Sequence, residues 1–218
     1  MAMETTGYRF QAGSPRYAAL SVRLDQAKLD AITKEIAHIP GALRRIFPTS
    51  LNQAAAETKT LLYKEFLVRM NIARKASIKD RLTLTPKASR HSFVSGVRVA
   101  LLRFMVTSFK GTRWLKRQGV RWSPGPGGSR IIPHAFIAKG YTHAKTGQYM
   151  DQRMAWRRAG TGDNLVPRTP ILALRGPSLA MVFSKSPGFQ AQIERQGSKI
   201  VEKKLTSQVQ RIIARFPR

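Results

Sequence analysis

The first part of the chain shows one strand-like pattern followed by a helical pattern. An arm at 1–16 is predicted to be loose, and YAALSVRL at 17–24 nearly alternates apolar and polar positions, which predicts a strand. Asp25 is placed to cap a helix that runs to about His38. The sequence IPGAL at 39–43 ends this helix, because proline and glycine interrupt the pattern.

Two stronger helices are predicted from apolar positions that recur every three or four residues. The first spans about 50–71 with Ser50 as its N-cap, and a short helix over 74–82 follows. The second spans 187–215 after Ser186 as N-cap, and its first residue is a proline, which is tolerated there. Its apolar stripe consists of Phe189, Ile193, Ile200, Val201, Leu205, Val209, Ile212 and Ile213. At about 42 Å this helix is longer than a small sheet needs, so part of it is expected to reach a neighbouring subunit.

Between these helices, from about residue 83, short apolar segments alternate with turn residues. The candidate strands are 98–106, 119–122, 130–138, 148–156 and 170–174, and GPSLAMVF at 176–183 predicts a turn into a short helix. This pattern indicates an antiparallel sheet of about four to five strands. The predicted class is α+β, a single domain over 17–218 with a helical part at 25–82, a sheet part at 83–175 and the long amphipathic C-terminal helix.

Composition narrows the class of protein. A chain of 218 residues with a hydrophobic fraction of 42% is large enough to form a core without disulfides. It contains no cysteine, which excludes disulfides and thiolate zinc sites and fits folding in a reducing cytoplasm. No signal peptide is visible, and the most apolar segment, 93–109, is interrupted by Arg98 and Arg103, so a membrane span is not expected.

The charge is strongly positive and unevenly distributed. The 39 basic residues outnumber the 11 acidic ones, which gives a formal net charge of +28. Residues 81–150 contain thirteen Lys or Arg and no acid. An excess of this size favours an anionic partner, which can be DNA, RNA or the acidic face of a protein, over a merely solvated surface.

The sequence motifs give little support for an enzyme or a metal-binding protein. SPGPGGSR at 123–130 is rich in glycine, but it lacks the Walker GK[ST] ending and its two prolines remove N–H donors that would cradle a phosphate. His134 and His143 could converge across a hairpin, yet no Asp or Glu lies near them in sequence to complete a metal site. The carboxylates are thinly spread and no G-x-S-x-G motif occurs. We therefore predict no enzyme activity, metal or cofactor.

A basic block, RWLKRQGVRW at 113–122, interleaves two tryptophans with cations. Aromatic residues among cations can stack on bases or hold phosphates, whereas the alternative is a hairpin whose tryptophans pack into the core or a subunit contact. No signature of a sequence-specific nucleic-acid-binding fold is present. The candidate contact residues, to another subunit or to DNA, are Arg113, Trp114, Lys116, Arg117, Arg121, Arg130, Arg157 and Arg158.

The order of several segments resembles a known family. The segments are AAAETKTLLYKE, IARKASIKDRL, LLRF, QGVRW, RIIPHAFIA, QYMDQRMAWRR and VPRTPILALRGPSLAMVF, followed by the basic C-terminal helix. Over roughly residues 45–215 they resemble the minor tail protein Z, or tail completion, family of lambda-like tailed bacteriophages. The most specific parts are the I-P-x-A-F strand at 132–136 and the R-x-P-I…GPSL block at 168–179. The family often has glycine where His134 stands, so we interpret this histidine as a neutral substitution.

The resemblance implies a structural protein of the virion, made in the host cytoplasm and without catalysis. It would act late in assembly at the head-proximal end of the tail, as a homo-oligomeric ring around the DNA channel, with a hexamer favoured by analogy. Its partners would be copies of itself, neighbouring tail and neck proteins, and phage DNA in the channel. SPGPGGS then becomes the tip of a hairpin between 119–122 and 130–138, with Pro133 at an edge or a bulge.

Two other functions stay open from the residues alone. A nonspecific nucleic-acid-binding protein would explain the charge without any ring. A phosphate-handling enzyme would need acidic metal ligands that the sequence does not supply.

Overall fold

The computed structural model describes the chain at residues 7–11, 17–23, 30–32, 34, 36, 39, 41–92, 94–142, 149–158 and 171–215. The chain divides into two compact units. The first consists of Met1–Lys64, Lys79–Leu101 and Leu179–Arg218, and the second of Glu65–Ile78 and Leu102–Ser178. Helices and antiparallel sheets occur together, which confirms the predicted α+β class. The sequence predicted one sheet in one domain, whereas the described strands form three sheets.

In the first unit, the described strands form one antiparallel sheet in the order β1-β2-β4-β3. They are β1 (Gly7–Gln11), β2 (Tyr17–Arg23), β3 (Leu82–Leu84) and β4 (Ser95–Ala100). The strand predicted at 17–24 is confirmed by β2. The prediction of a loose arm at 1–16 is corrected by β1, where Tyr8 and Phe10 alternate with polar residues at the period of a strand. β1 pairs with β2 from Gly7↔Arg23 to Gln11↔Ala19.

Helix α1 (Ala42–Arg69) begins before the predicted start and includes a proline, Pro48. An interior proline costs about 3 kcal/mol. Ile46 and Phe47 are both buried beside it, and burial of two such side chains contributes about 3–6 kcal/mol. The helix therefore continues through the proline. Ser50 is a fully buried interior residue and not the predicted N-cap.

The other helical predictions before residue 83 hold in part. α1 ends at Arg69, close to the predicted end near residue 71. The short helix predicted at 74–82 is α2 (Ala76–Lys79), because the chain then enters β3. Within the helix predicted at 25–38, residues 30–32 and 34 are helical, and most of the others lie outside the described residues.

Asn52 of α1 forms hydrogen bonds with the loop that precedes β4. Its Nδ2 donates a hydrogen bond to the carbonyl oxygen of Ala88 at 3.0 Å, and its Oδ1 accepts one from the Ala88 N–H at 2.8 Å. The same Oδ1 accepts a hydrogen bond from the Ser95 hydroxyl at 3.0 Å, and Ser95 is fully buried. One side-chain amide thus satisfies both backbone groups of Ala88 and a buried hydroxyl.

Replacing Asn52 by alanine is expected to lower the free energy of unfolding of the first unit by about 2–4 kcal/mol, because buried polar groups lose their partner. Urea unfolding followed by far-UV circular dichroism measures the loss. The control is Gln53→Ala, the neighbouring exposed residue, whose amide oxygen accepts one hydrogen bond of 3.4 Å from Gln208. An Asn52→Ala loss no larger than that of the control would contradict the role of Asn52.

The C-terminal part of the first unit contains α3 (Leu179–Ser184) and α4 (Pro187–Ile213), and both confirm predicted helices. Ser186 holds the N-cap position through its carbonyl, which accepts hydrogen bonds from two backbone N–H groups, while its hydroxyl makes no capping bond. Lys204 of α4 forms an ion pair with Glu57 of α1. The buried stripe of α4 is Phe189, Ile193, Gly197, Val201, Leu205 and Val209. This stripe runs along nearly the whole helix, so one face of α4 is buried over most of its length, and the expected contact with a neighbouring subunit stays a prediction.

In the second unit, the described strands form two antiparallel sheets, ordered β5-β6-β7 and β10-β9-β8. The first contains β5 (Arg113–Leu115), β6 (Gly119–Trp122) and β7 (Arg130–Ile132). The second contains β8 (Ala135–Thr142), β9 (Tyr149–Arg158) and β10 (Ile171–Ala173). The strands predicted at 119–122, 148–156 and 170–174 are thereby confirmed, as is the hairpin between β6 and β7.

Two predicted strands are interrupted. The one at 130–138 is split by a turn at Pro133 and His134, which sends β7 and β8 into different sheets. Pro133 therefore lies in a turn rather than at a strand edge or bulge, and the φ of His134 is +57°, a conformation that glycine takes without strain. The one at 98–106 ends as β4 at Ala100, and Val106–Ser108 forms a 3-10 helix.

The core of the second unit lies against one face of the β5-β6-β7 sheet. Val106, Val120, Ala135 and Ala155 are buried together, and Trp122, Ile132, Ile137 and Leu174 pack around them. Phe109 extends this core through edge-to-face contacts with Phe104 and Trp122, at ring-centroid distances of 6.1 and 5.2 Å. This packing decides which side of the sheet is free to meet a partner.

Candidate functional site

Strand register divides the β5-β6-β7 sheet into two rows of side chains. Arg113 lies opposite Arg121, and Arg121 lies opposite Ile131; we call these three residues the outer row. Trp114, Val120 and Ile132 are aligned in the same way and form the inner row. Directly opposed residues of antiparallel strands share a face, and successive residues alternate between faces. Since Val120 is part of the buried core, the outer row faces away from that core.

The turn between β5 and β6 adds two exposed cations to this sheet. Lys116 and Arg117 occupy it, and the Gln118 N–H donates a hydrogen bond to the Leu115 carbonyl at 3.1 Å. Arg117 has a φ of +65°, and Gly119, which resumes the strand, has a φ of +115°. The positive φ values let the chain reverse within three residues, so both cations lie at one end of the sheet.

Arg121 is held differently from its neighbours. Its side chain is half-buried, and its Nε is buried without a hydrogen-bond partner, whereas Arg113 is exposed. Among the residues that the structure describes, no carboxylate forms an ion pair with either arginine, and the sequence has no acid between Asp80 and Asp151. The two guanidinium groups therefore lie on neighbouring strands without a counter-charge from the described residues.

The other predicted contact residues divide between the two sheets. Arg130 lies opposite Trp122 at the start of β7 and is exposed. Trp114 is 51% exposed, while Trp122 packs against Phe109, so the two tryptophans play different roles. Arg157 belongs to β9, opposite Ala135, and its half-buried side chain has a buried Nε without a hydrogen bond. Arg158 follows it in β9, and its side chain lies outside the described residues.

The SPGPGGS segment is a structured loop of the hairpin and not a phosphate cradle. The Ser123 hydroxyl is within hydrogen-bond distance of the Gly125 and Gly128 carbonyls, at 3.0 and 3.1 Å. The Pro124 carbonyl accepts a hydrogen bond from the Asn71 N–H at 3.4 Å. A Cβ on Gly125 would lie 2.8 Å from the Arg69 carbonyl oxygen. The loop is thus packed on the end of α1, and these hydrogen bonds are accepted by its carbonyl oxygens, whereas a phosphate cradle would use its N–H groups.

A small cavity of about 320 Å³ lies beside this loop. It is lined by Leu67, Val68, Asn71, Ser123, Gly125, Pro126, Gly128 and Ser129. None of these side chains is a titratable acid or base, so the cavity offers no general acid–base pair. The sequence did not indicate the role of Asn71, because its contacts join segments that are far apart along the chain.

Elsewhere in the described part of the chain, the titratable groups form no catalytic arrangement. No cluster of three His, Asp or Glu residues there could hold a metal ion, and His143 lies outside the described residues. Burial lowers the pKa of Arg81 and raises the pKa of Glu194, and both belong to the first unit. No helix among the described residues is long and apolar enough to cross a membrane.

Comparison of the chain with models of protein families, with curated proteins and with solved structures finds no match. The resemblance to tail completion proteins is therefore carried by the sequence segments themselves.

Proposed function

We propose that the protein is a tail completion component of a tailed bacteriophage, which acts in the virion at the head-proximal end of the tail. Two kinds of evidence support this proposal. The ordered segments over residues 45–215 resemble that family, and the β5-β6-β7 sheet offers a surface suited to contacts rather than to catalysis. The observation that carries the proposal is this sheet, on which exposed cations lie beside Trp114 and Ile131, exposed to 51% and 44%.

The proposed mechanism is assembly. Several copies, six by analogy with related neck and tail proteins, form a ring that closes the finished tail and joins it to the head. Trp114 suits a subunit contact, since tryptophan is enriched among the residues that dominate interface energies. Arg130, an exposed cation at the start of β7 that lies outside the outer row, would orient the subunit towards acidic surfaces of the neighbouring tail and neck proteins.

The proposal is tested with phage tails assembled without this protein. Purified protein is added to these tails, bound protein is measured by sedimentation, and the yield of infectious particles is counted after heads are supplied. Trp114→Ala is expected to weaken binding to the tails by about 30-fold, the loss typical of an interface hot spot. Val68→Ala, which truncates a side chain that is 75% exposed on α1, serves as the control and is expected to leave binding unchanged.

Light scattering coupled to size exclusion, at low and high salt, gives the oligomeric state. A discrete ring-sized species that persists in salt supports assembly through subunit contacts. The proposal fails if folded protein neither binds the incomplete tails nor restores infectious particles, or if Trp114→Ala and Val68→Ala restore them equally well.

A further inference from the structure

We propose that the outer row of the β5-β6-β7 sheet is a phosphate clamp for the backbone of nucleic acid, with Arg113 and Arg121 as its two prongs. The identity of the partner rests on the proposed function: it is the DNA that passes through the tail. The clamp itself follows from the geometry of the sheet. Neither the charge of the whole chain nor the predicted ring is needed for it.

The register of the hairpin places two like charges together, which favours binding of an external anion. Like charges placed directly opposite each other on neighbouring strands destabilise a sheet, and Arg113 and Arg121 are such a pair. Their Cα atoms are about 4.5–5.5 Å apart, as in any directly opposed pair, so one oxyanion can contact both guanidinium groups. No described carboxylate fills this place. A bound phosphate would turn the repulsion into a shared attraction.

Arg121 is also the better fixed of the two prongs. Its side chain is half-buried and its Nε is buried without a hydrogen bond, so the surrounding atoms restrict the side chain while its guanidinium keeps an unused donor. A planar guanidinium binds phosphate through two parallel N–H donors and cannot lose its charge at physiological pH. A half-buried arginine therefore loses less side-chain conformational entropy when it binds phosphate than an exposed lysine does.

The distance between the cations along the sheet matches the spacing of several successive phosphates in DNA. Lys116 and Arg117 lie about 10 Å or more along the hairpin from Arg113, since each strand residue advances about 3.3 Å. Phosphates on one strand of a DNA duplex follow each other with an axial rise of about 3.4 Å. The clamp and the turn together would span about three to four phosphates of one strand.

The composition of the face favours nucleic acid over an acidic protein. Protein–protein interfaces are depleted of charge at their centre, whereas protein–DNA interfaces are much more positive. On the face of the outer row, Arg113 and Arg121 lie beside Leu115, Gly119 and Ile131, and two more exposed cations occupy the adjoining turn. Contacts of this kind go to the backbone and carry no sequence information, so binding is expected to be independent of sequence.

The test is a fluorescence-anisotropy titration of a labelled 20-base-pair duplex of arbitrary sequence at a series of KCl concentrations. The double variant Arg113→Gln/Arg121→Gln is compared with Arg195→Gln/Lys199→Gln, which removes the same charge from two exposed residues of α4. The clamp variant is expected to raise Kd at least 10-fold and to reduce the slope of log K against log salt by about 0.9, because the two arginines share one phosphate. The control is expected to change Kd less than about 3-fold.

Two results would overturn the clamp. One is an equal loss in both double variants, which would assign DNA binding to diffuse charge. The other is a clamp variant that still binds the DNA duplex normally but no longer binds a poly-glutamate peptide as long as that duplex. This result would assign the face to an acidic protein. If the double variant does not fold, Arg113→Gln alone, at an exposed position, provides a second variant, which is expected to raise Kd more than Arg195→Gln alone does.

The two proposals can fail separately. Protein that completes tails but shows no selective DNA loss in the clamp variant refutes the clamp and leaves tail assembly standing. Protein that shows the selective loss but does not bind incomplete tails supports the clamp and refutes the proposed function.

Discussion

Replacing Phe109 by alanine is expected to destabilise the second unit by about 3–5 kcal/mol, the usual cost of removing a fully buried aromatic side chain. Phe109 is 2% exposed and makes edge-to-face contacts with Phe104 and Trp122. A Cβ added to Gly176 would lie 2.6 Å from a ring carbon of Phe109, which shows how closely the backbone approaches the ring. Removal of the ring would leave a cavity below the β5-β6-β7 sheet.

The measurement is urea unfolding followed by tryptophan fluorescence. All three tryptophans, Trp114, Trp122 and Trp156, belong to the second unit, so this signal reports its unfolding specifically. Leu102→Ala, at a residue that is 61% exposed in the same unit, is the control and should cost less than about 0.5 kcal/mol. A loss below about 1 kcal/mol for Phe109→Ala would mean that the site refills, and that the ring does not support the sheet.

Replacing Gly119 by alanine is expected to cost about 3 kcal/mol or more, because two penalties combine at this position. The φ of Gly119 is +115°, which an L-residue with a side chain rarely adopts. A Cβ there would lie 2.0 Å from the carbonyl oxygen of Ile132 and 3.0 Å from the Cα of Pro133. Both are backbone atoms of the partner segment, so β6 and β7 would have to separate to relieve the overlap.

Gly128→Ala separates these two penalties. Its φ is +101°, and a Cβ there would meet no atom within 4 Å, so only the conformational strain of about 1–2 kcal/mol is expected. The difference between the two variants, measured by the same fluorescence-detected unfolding, is the cost of the overlap with β7. Equal losses would show that β6 and β7 accommodate a side chain at residue 119 and that their pairing is looser than the register indicates.

The predictions from sequence succeeded where the pattern is local and continuous. The stripe from Phe189 to Val209 repeats at helical spacing over several turns, and the GVRW strand lies between clear turn residues, so both elements were found. The start of α1 was missed because Pro48 is a strong local breaker, whereas the burial of Ile46 and Phe47 that outweighs it depends on the folded chain. The turn at Pro133, which separates β7 from β8, was not predicted because the residues on both sides of it are compatible with a strand.

The candidate site was predictable as a set of residues but not as an arrangement. The sequence brought Arg113, Lys116, Arg117 and Arg121 together by proximity, yet it could not tell that Arg121 faces Arg113 and not Trp114. That distinction depends on the register, and a shift of one residue exchanges the two faces. The register here depends on the turn at Arg117 and on Gly119, whose positive φ values are invisible in composition. Arg157 was placed in the same set by its charge, although its strand belongs to another sheet.

The division of the β5-β6-β7 sheet into two rows has a consequence for how the protein can change over generations. Val120 and Ile132 of the inner row hold the sheet on the core, and the backbone fit at Gly119 holds the strands together, while the exposed residues Arg113 and Ile131 contribute little to either. Substitutions at the exposed residues 113 and 131 should therefore accumulate with little penalty in folding, at a rate set by the partner that these residues contact. A lineage that acquires a new partner could change these two outward positions and keep the rest of the hairpin sequence.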